Sequence, residues 1–363
     1  MTNRQTKART VLYQDRDVEE VILYKHSSSL KPALDETNKL WRYSYAVGQM
    51  EIVTGPFNYW SGHYDRVHID EKWFWISRDD ENYFMVFGEE PPKIRKVWGD
   101  KYMTKVMFLC AQARPRINCT TGTWWNGKIG MWPVGHYGAA SWESINKPAG
   151  TQVWINETMD KNKYREMLVD SVIPAIAAKW PMWEWNNPNF KIRIQQDGAR
   201  AHCKEDDPFL MQTLAQLEAN QVITPSKLSF YTQPENSPDL NICHLGLFDD
   251  IQSAYYQDAP KDSIEIIRCV LAAYDQYPIN LIDRMFVTLM SVFTEIVNCH
   301  GDNTYKLPRM NQPMFEKEGE LPERLKIPSE TMCIIYNFHN NLQYEDDTFF
   351  GIDSEYEGAG GSA

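Results

Sequence analysis

Gln233-Pro234-Glu235-Asn236-Ser237-Pro238-Asp239-Leu240-Asn241-Ile242-Cys243-His244-Leu245-Gly246-Leu247-Phe248-Asp249-Asp250-Ile251-Gln252 is the stretch whose reading decides the fold. Ser237 to Asn241 reads as a turn, because proline fixes φ and the Asp and Asn side chains bond back to their own backbone. Beyond it Leu245, Leu247, Phe248, Ile251 and Ala254 fall largely at helical spacing, and before it Leu228-Ser229-Phe230-Tyr231-Thr232 reads as a strand. Strand, sharp turn and helix together deliver one side chain, that of His244, to the helix entrance.

Working outward, other strands also end on polar residues. Arg66 to Ile76 is β-branched and aromatic yet carries Asp70 and Glu71, and Phe190 to Asp197 closes on an acid. Tyr83 to Phe87 reads as a second strand and Val106 to Ala111 as a third, the three forming an antiparallel meander. Residues 114 to 158, rich in Gly, Pro and Trp, read as an insertion with little regular structure. Helices are expected from Asp35, over Lys163 to Trp180 with a kink near Pro174, over Asp207 to Asn220, Asp262 to Tyr274 and Asn280 to Cys299. From Gly301 the chain reads as largely irregular. The fold class is α/β, a mixed sheet of an antiparallel meander plus parallel strands, flanked by helices, with extra C-terminal helices.

The totals limit the function classes. A length of 363 residues, 43% hydrophobic and 24% charged, suits one large or two smaller globular domains, and 13 Trp point to an extensive rigid core. No apolar run is long enough for a membrane span and the first residues carry no leader signal, so an intracellular protein is expected. Seven cysteines without a Cys-x-x-Cys pair favour free thiols, and the Cys-His neighbours His202-Cys203, Cys243-His244 and Cys299-His300 make poor zinc sites. The net charge of −12 argues against a bare DNA-binding module, although Glu316 to Ala363 holds eleven acids against three bases.

A carboxylate inside an apolar strand is costly unless paired or metal-bound. Two on neighbouring strands repel without a cation between them, a task that suits magnesium. By spacing alone, Asp70 and Asp197 are equally well read as strand-end residues satisfied by backbone N–H groups.

The motifs go further. Val67-His68-Ile69-Asp70-Glu71-Lys72-Trp73-Phe74 resembles the first-acid strand of mariner-like transposases. Lys105 to Leu109 with Ala113-Arg114-Pro115-Arg116 is similar to that family's third strand, and Trp125 to Gly130 and Lys147 to Thr151 to its insertion. Ile194-Gln195-Gln196-Asp197-Gly198-Ala199-Arg200-Ala201-His202 resembles the second-acid motif, and Asn236 to Asn241 through Ser253 the third; Tyr305 to Asn311 is similar to a C-terminal family segment. The resemblance runs from about Ser29 to about Arg324. It implies an RNase H-like catalytic domain over residues 60–300 and metal-dependent DNA cleavage and strand transfer. It further implies Mg2+ or Mn2+ at a two-metal site, transposon-end DNA as partner, a homodimer, nuclear location, no membrane and no small-molecule cofactor. Asp70 and Asp197 match the first two metal-binding acids.

Several departures qualify this. Gly198 stands where asparagine is common, and the 47-residue step from Asp197 to position 244 is somewhat long. The family's N-terminal helix-turn-helix pair is nearly absent, residues 1–45 holding only its junction, and residues 301–363 read as an acidic tail. Above all, position 244 is histidine where the family has aspartate. His244 could ligate a softer ion than magnesium, Asp239 could stand in for the lost acid, or the site has lapsed and the fold serves DNA binding or a structural role. Asp249, about 140° round an ideal helix from His244, points elsewhere.

Overall fold

A computed structural model describes residues 31–52, 57–76, 104–118, 121–140, 148–181, 190–204, 206–219, 228–258, 260–307 and 321–342. Residues 1–33 cluster as a unit of their own; the fold below is that of the unit Leu34–Ala363.

The sheet is built on β3 (Arg66–Trp75). Its alternation sends Val67 and Ile69 to one apolar cluster and Phe74 to another, so both faces are buried. β4 (Lys105–Ala113) pairs antiparallel along all of β3, with Asp70 opposite Cys110. β7 (Lys128–Pro133) pairs antiparallel with β4 across a bulge at Ala111/Gln112. β10 (Ile192–Gln196) pairs parallel with β3, and β11 (Leu228–Thr232) parallel with β10. The order β11-β10-β3-β4-β7 is an antiparallel meander extended by parallel strands, the RNase H-like arrangement that the motifs imply. Small two-stranded sheets join β1 (Met50–Ile52) to β2 (Asn58–Trp60), β5 (Arg116–Ile117) to β6 (Trp124–Trp125), and β8 (Gly135–Ala139) to β9 (Gln152–Asn156).

Helices cover both faces. One carries α1 (Glu36–Val47), α5 (Phe248–Tyr255), α6 (Ser263–Gln276) and α7 (Ile279–Asn298). The other carries α2 (Lys161–Met167), α3 (Ile173–Lys179) and α4 (Pro208–Ala219). Asp35 starts α1 with a capping box, accepting from the Asn38 amide at 2.7 Å. α2 runs on through a π-helical turn, Leu168–Val172, into α3, and the wider turn just before Pro174 is where the helix accommodates its missing N–H.

Several expectations are corrected. The strand expected at Tyr83 to Phe87 falls outside the described residues, and β4 lies directly beside β3. The meander's last strand is β7, inside the segment read as irregular insertion, which also supplies β5, β6, β8 and β9. Gly127 and Gly150 do punctuate it, at φ +69 and +83, and a Cβ on Gly127 would lie 2.2 Å from the Ala113 carbonyl oxygen, whereas Gly130 lies within β7 and leaves room for the Trp132 ring. Tyr43, Tyr45 and Ala46 of α1 belong to the core of the unit that begins at Leu34. Among the described residues beyond 301, α8 (Ser329–Leu342) packs on α7, and Tyr305, Ile327 and Ile335 are buried. Among the described residues no helix is long and apolar enough to cross a membrane.

Candidate active site

Three segments meet where the middle of β3 lies beside the C-terminal end of β10. In the parallel pairing Gln195 lies beside His68, so two residues further on the chain brings Asp197 level with Asp70. The third segment is pinned by side-chain amides. Gln195 Nε2 donates to the Leu240 carbonyl at 2.8 Å, and Asn241 Nδ2 donates to the Ile69 carbonyl at 3.0 Å while its Oδ1 accepts from the Cys243 amide at 3.0 Å.

After this anchor comes a π-helical turn, Cys243–Leu247, broken at Gly246 with φ +151, a value that glycine takes readily. Successive residues of the turn dock on one cross-strand pair: the free Cys243 thiol lies against that of Cys110, and His244 meets Asp70. The ideal helical step does not hold across this turn. Asp249 is close enough for its charge to act on His244, and its Oδ1 accepts from Lys72 Nζ at 2.6 Å.

The donor set differs from the expected one. Asp70 is 6% exposed; its Oδ1 accepts from the Glu71 amide at 2.8 Å and its Oδ2 from His244 Nε2 at 3.0 Å. Burial works against a charge on His244, but the Asp70 carboxylate outweighs it and raises the imidazole above its ordinary pKa. Asp197 Oδ1 accepts from the Ala199 amide at 2.9 Å and from His202 Nδ1 at 2.7 Å. Burial opposes that charge too, yet the His202 and Ala199 donors hold Asp197 below the usual carboxylate range.

His202 lies between two acids. Its Nδ1 faces Asp197, its Nε2 faces Glu71 Oε1 at 3.1 Å, and its ring stacks on Tyr164 with centroids 4.3 Å apart. Despite burial, the two carboxylates push it up to about 10, so the ring is a doubly donating imidazolium at neutral pH. Burial raises the Glu71 carboxyl, partly offset by His202.

Asp70, Asp197 and His244 are thus brought together, whereas Asp239 is committed elsewhere. Its carboxylate is held bidentate by the fully buried Arg42, Nη1 at 2.7 Å and Nη2 at 2.8 Å, and also accepts from the Tyr305 hydroxyl. An acid so bound is a fixture of the turn and cannot replace a missing ligand. Glu71 and His202 are the site residues that sequence reasoning missed. Both lie inside the motifs quoted above, one next to Asp70 and the other five residues after Asp197.

These residues do not fit a two-metal magnesium centre. One of the three positions offers an imidazole, a poor ligand for a hard cation. One oxygen of Asp70 accepts from His244 and one of Asp197 from His202. Among the described residues no group of three or more His, Cys, Asp or Glu is arranged to hold a metal. In their place the chain sets two imidazoles against three carboxylates.

No protein-family model matches the chain, and no curated protein does. Solved structures do. The Mos1 mariner paired end complex with Mn is 14% identical, covering 78% of this chain and 68% of that one, with a TM-score of 0.50. The catalytic domain of Mos1 mariner transposase is 16% identical, covering 76% of this chain and 100% of that one, at 0.46. The Mos1 paired end complex with Mg is 14% identical, covering 78% and 68%, at 0.48. The likeness to the Mn complex shows the fold: this chain has the architecture of a mariner transposase.

Proposed function

We propose that this chain is a mariner-like transposase relative that binds DNA and whose central cluster does not perform metal-dependent strand cleavage. The observation that carries the reading is the ion pair between Asp70 and His244, 3.0 Å apart at the position where the family has a third acid. Two-metal phosphodiester cleavage depends on carboxylates that hold cations against both the attacking and leaving oxygens. Here the third position offers the first acid a hydrogen-bond donor in place of another carboxylate. Losing one such ligand costs about 4 kcal/mol of transition-state stabilisation, or about a thousandfold in rate.

DNA binding is supported by the fold, shared with Mos1 complexes that hold transposon ends. A homodimer and nuclear location accompany the reading. The acidic total of −12 is compatible with it because many of the acids lie between Glu316 and Ala363.

A second reading is strand cleavage with Mn2+, His244 serving as ligand. It is favoured by the register that sets Asp197 beside Asp70 and by the His244 ring facing the same carboxylate.

A nicking assay on supercoiled DNA with Mg2+ or Mn2+ separates the two. The first reading expects no metal-dependent nicking by the wild type and nicking gained by His244→Asp. Robust wild-type nicking that Asp197→Ala abolishes would replace it with the second.

A further inference from the structure

Arg42, Arg66 and Arg114 are buried to the same degree, but only two of them have a counter-ion. Arg42 has Asp239 and Arg114 has Asp283. Arg66, at the start of β3, has no carboxylate partner among the described residues. Its Nη1 donates to the Tyr45 hydroxyl at 3.3 Å and to Gln195 Oε1 at 3.2 Å, and its guanidinium carbon lies 4.8 Å from the centre of the Tyr231 ring. Its Nε has no partner. A guanidinium keeps its charge, and a buried charge facing only neutral groups is strongly unfavourable.

Beside it lies a second unfinished group. Gln195, which accepts from Arg66, is level with His68 in the β10–β3 register. His68 Nε2 is 3.3 Å from His63 Nδ1, the two buried rings are stacked, and the far nitrogens, His63 Nε2 and His68 Nδ1, have no partner. Only one proton fits between the near nitrogens. Even with both rings neutral, whichever ring donates it, the other ring must carry its own proton on its far nitrogen. The pair therefore always presents one N–H, and it can set that N–H at either end. Burial first, then Arg66, His68, Arg114 and Arg193, all push His63 below the ordinary imidazole range, so the local field is positive.

We infer that Arg66 and the His63–His68 pair bind one small monovalent anion of the halide class inside the fold, with the Arg66 Nε–H and the outer imidazole N–H as its donors. Phe293 and Phe286 of α7 pack against the two rings, each with its centroid 5.4 Å away. Two N–H donors beside aromatic walls suit a single-atom anion. A phosphate or sulfate would bring in further oxygens that these donors leave unsatisfied. The inference goes beyond the proposed function and stands whether or not the central cluster cleaves DNA.

The direct test is a crystal of the full chain purified and grown in bromide. An anomalous difference peak is expected within hydrogen-bonding reach of Arg66 Nε and of one far imidazole nitrogen. A map that shows bromide elsewhere, and only water or nothing here, overturns the inference.

Thermal denaturation reads the same site in solution. Replacing gluconate by chloride at fixed ionic strength should raise the wild-type midpoint by several degrees, because an ion that binds only the folded chain stabilises it. Arg66→Met keeps the bulk without the charge and should lose that dependence. If it does not fold, His63→Asn takes its place, since asparagine tolerates the left-handed backbone that His63 holds at φ +56. A chloride dependence that is absent from the wild type, or as large in the variant, overturns the inference. The wild-type bromide map decides if neither variant folds.

Discussion

Asp239 and His244 stand five residues apart in one motif, and each makes an ion pair, but the pairs are of different kinds. Asp239 is bound on both oxygens by a guanidinium with no exposure, whose Nε also donates to the Gly301 carbonyl at 2.9 Å. Arginine does not lose its proton at any ordinary pH, so this pair is a fixed part of the frame. His244 meets a single carboxylate oxygen, is more than a third exposed and carries a titratable ring. The comparison teaches that one stretch of chain performs two tasks: the acid that looks available holds the turn, and the side chain delivered to the site is the one the turn leaves open.

The largest effect should come from the fixed pair. Asp239→Asn leaves Arg42 charged and buried without its counter-ion, and removing one partner of such a pair costs about 3–5 kcal/mol. Urea denaturation should show that loss as a lower midpoint, nearly constant from mild acid to mild base. An unchanged midpoint would break the contrast at its stronger end.

Next is His202→Gln, which removes contacts to two carboxylates and should cost about 1–3 kcal/mol. Here pH sharpens the comparison. The folded value near 10 lies above the ordinary 6.5, so the contribution is complete below about pH 6.5 and is lost as pH rises through about 10. Wild-type melting temperature should therefore fall across that window, and the variant should lose much of the fall.

The smallest effect belongs to His244→Gln. With the imidazole 39% exposed beside a buried carboxylate, solvent screens the pair and it contributes about 1 kcal/mol. Its raised pKa gives it the same sign, stabilising at low pH and lost as pH climbs. A cost equal to that of Asp239→Asn would show His244 to be frame as well.

What could be read in advance follows from where the physics is local. β3, β10 and β11 were legible because apolar alternation and a terminal acid or turn lie within a few residues. β7 was not, because Gly130 and Trp132 read as loop composition until the ring is seen lying over the glycine. Joining His244 to Asp70 required the motifs in their order, since no periodicity relates positions 70, 197 and 244. The commitment of Asp239 was hidden for a related reason. Arg42 is a lone arginine in an N-terminal helix, and its partner lies 197 residues away.

That distance has a consequence in time. The partners of Arg42 stand 197, 259 and 263 residues along the chain, at Asp239, Gly301 and Tyr305. At roughly 5–20 residues per second, α1 leaves the ribosome on the order of 10–50 s before the last of them exists. Arg42 thus meets Asp239 first in chain order, and Gly301 and Tyr305 only about sixty residues of synthesis later. Closure of the molecule is therefore a late, long-range event, paid for by loop entropy that no local element can reduce. A chain cut short before Gly301 would keep every described strand and the Asp239 pair, yet leave the Arg42 Nε without its Gly301 carbonyl and lose the Tyr305 hydroxyl.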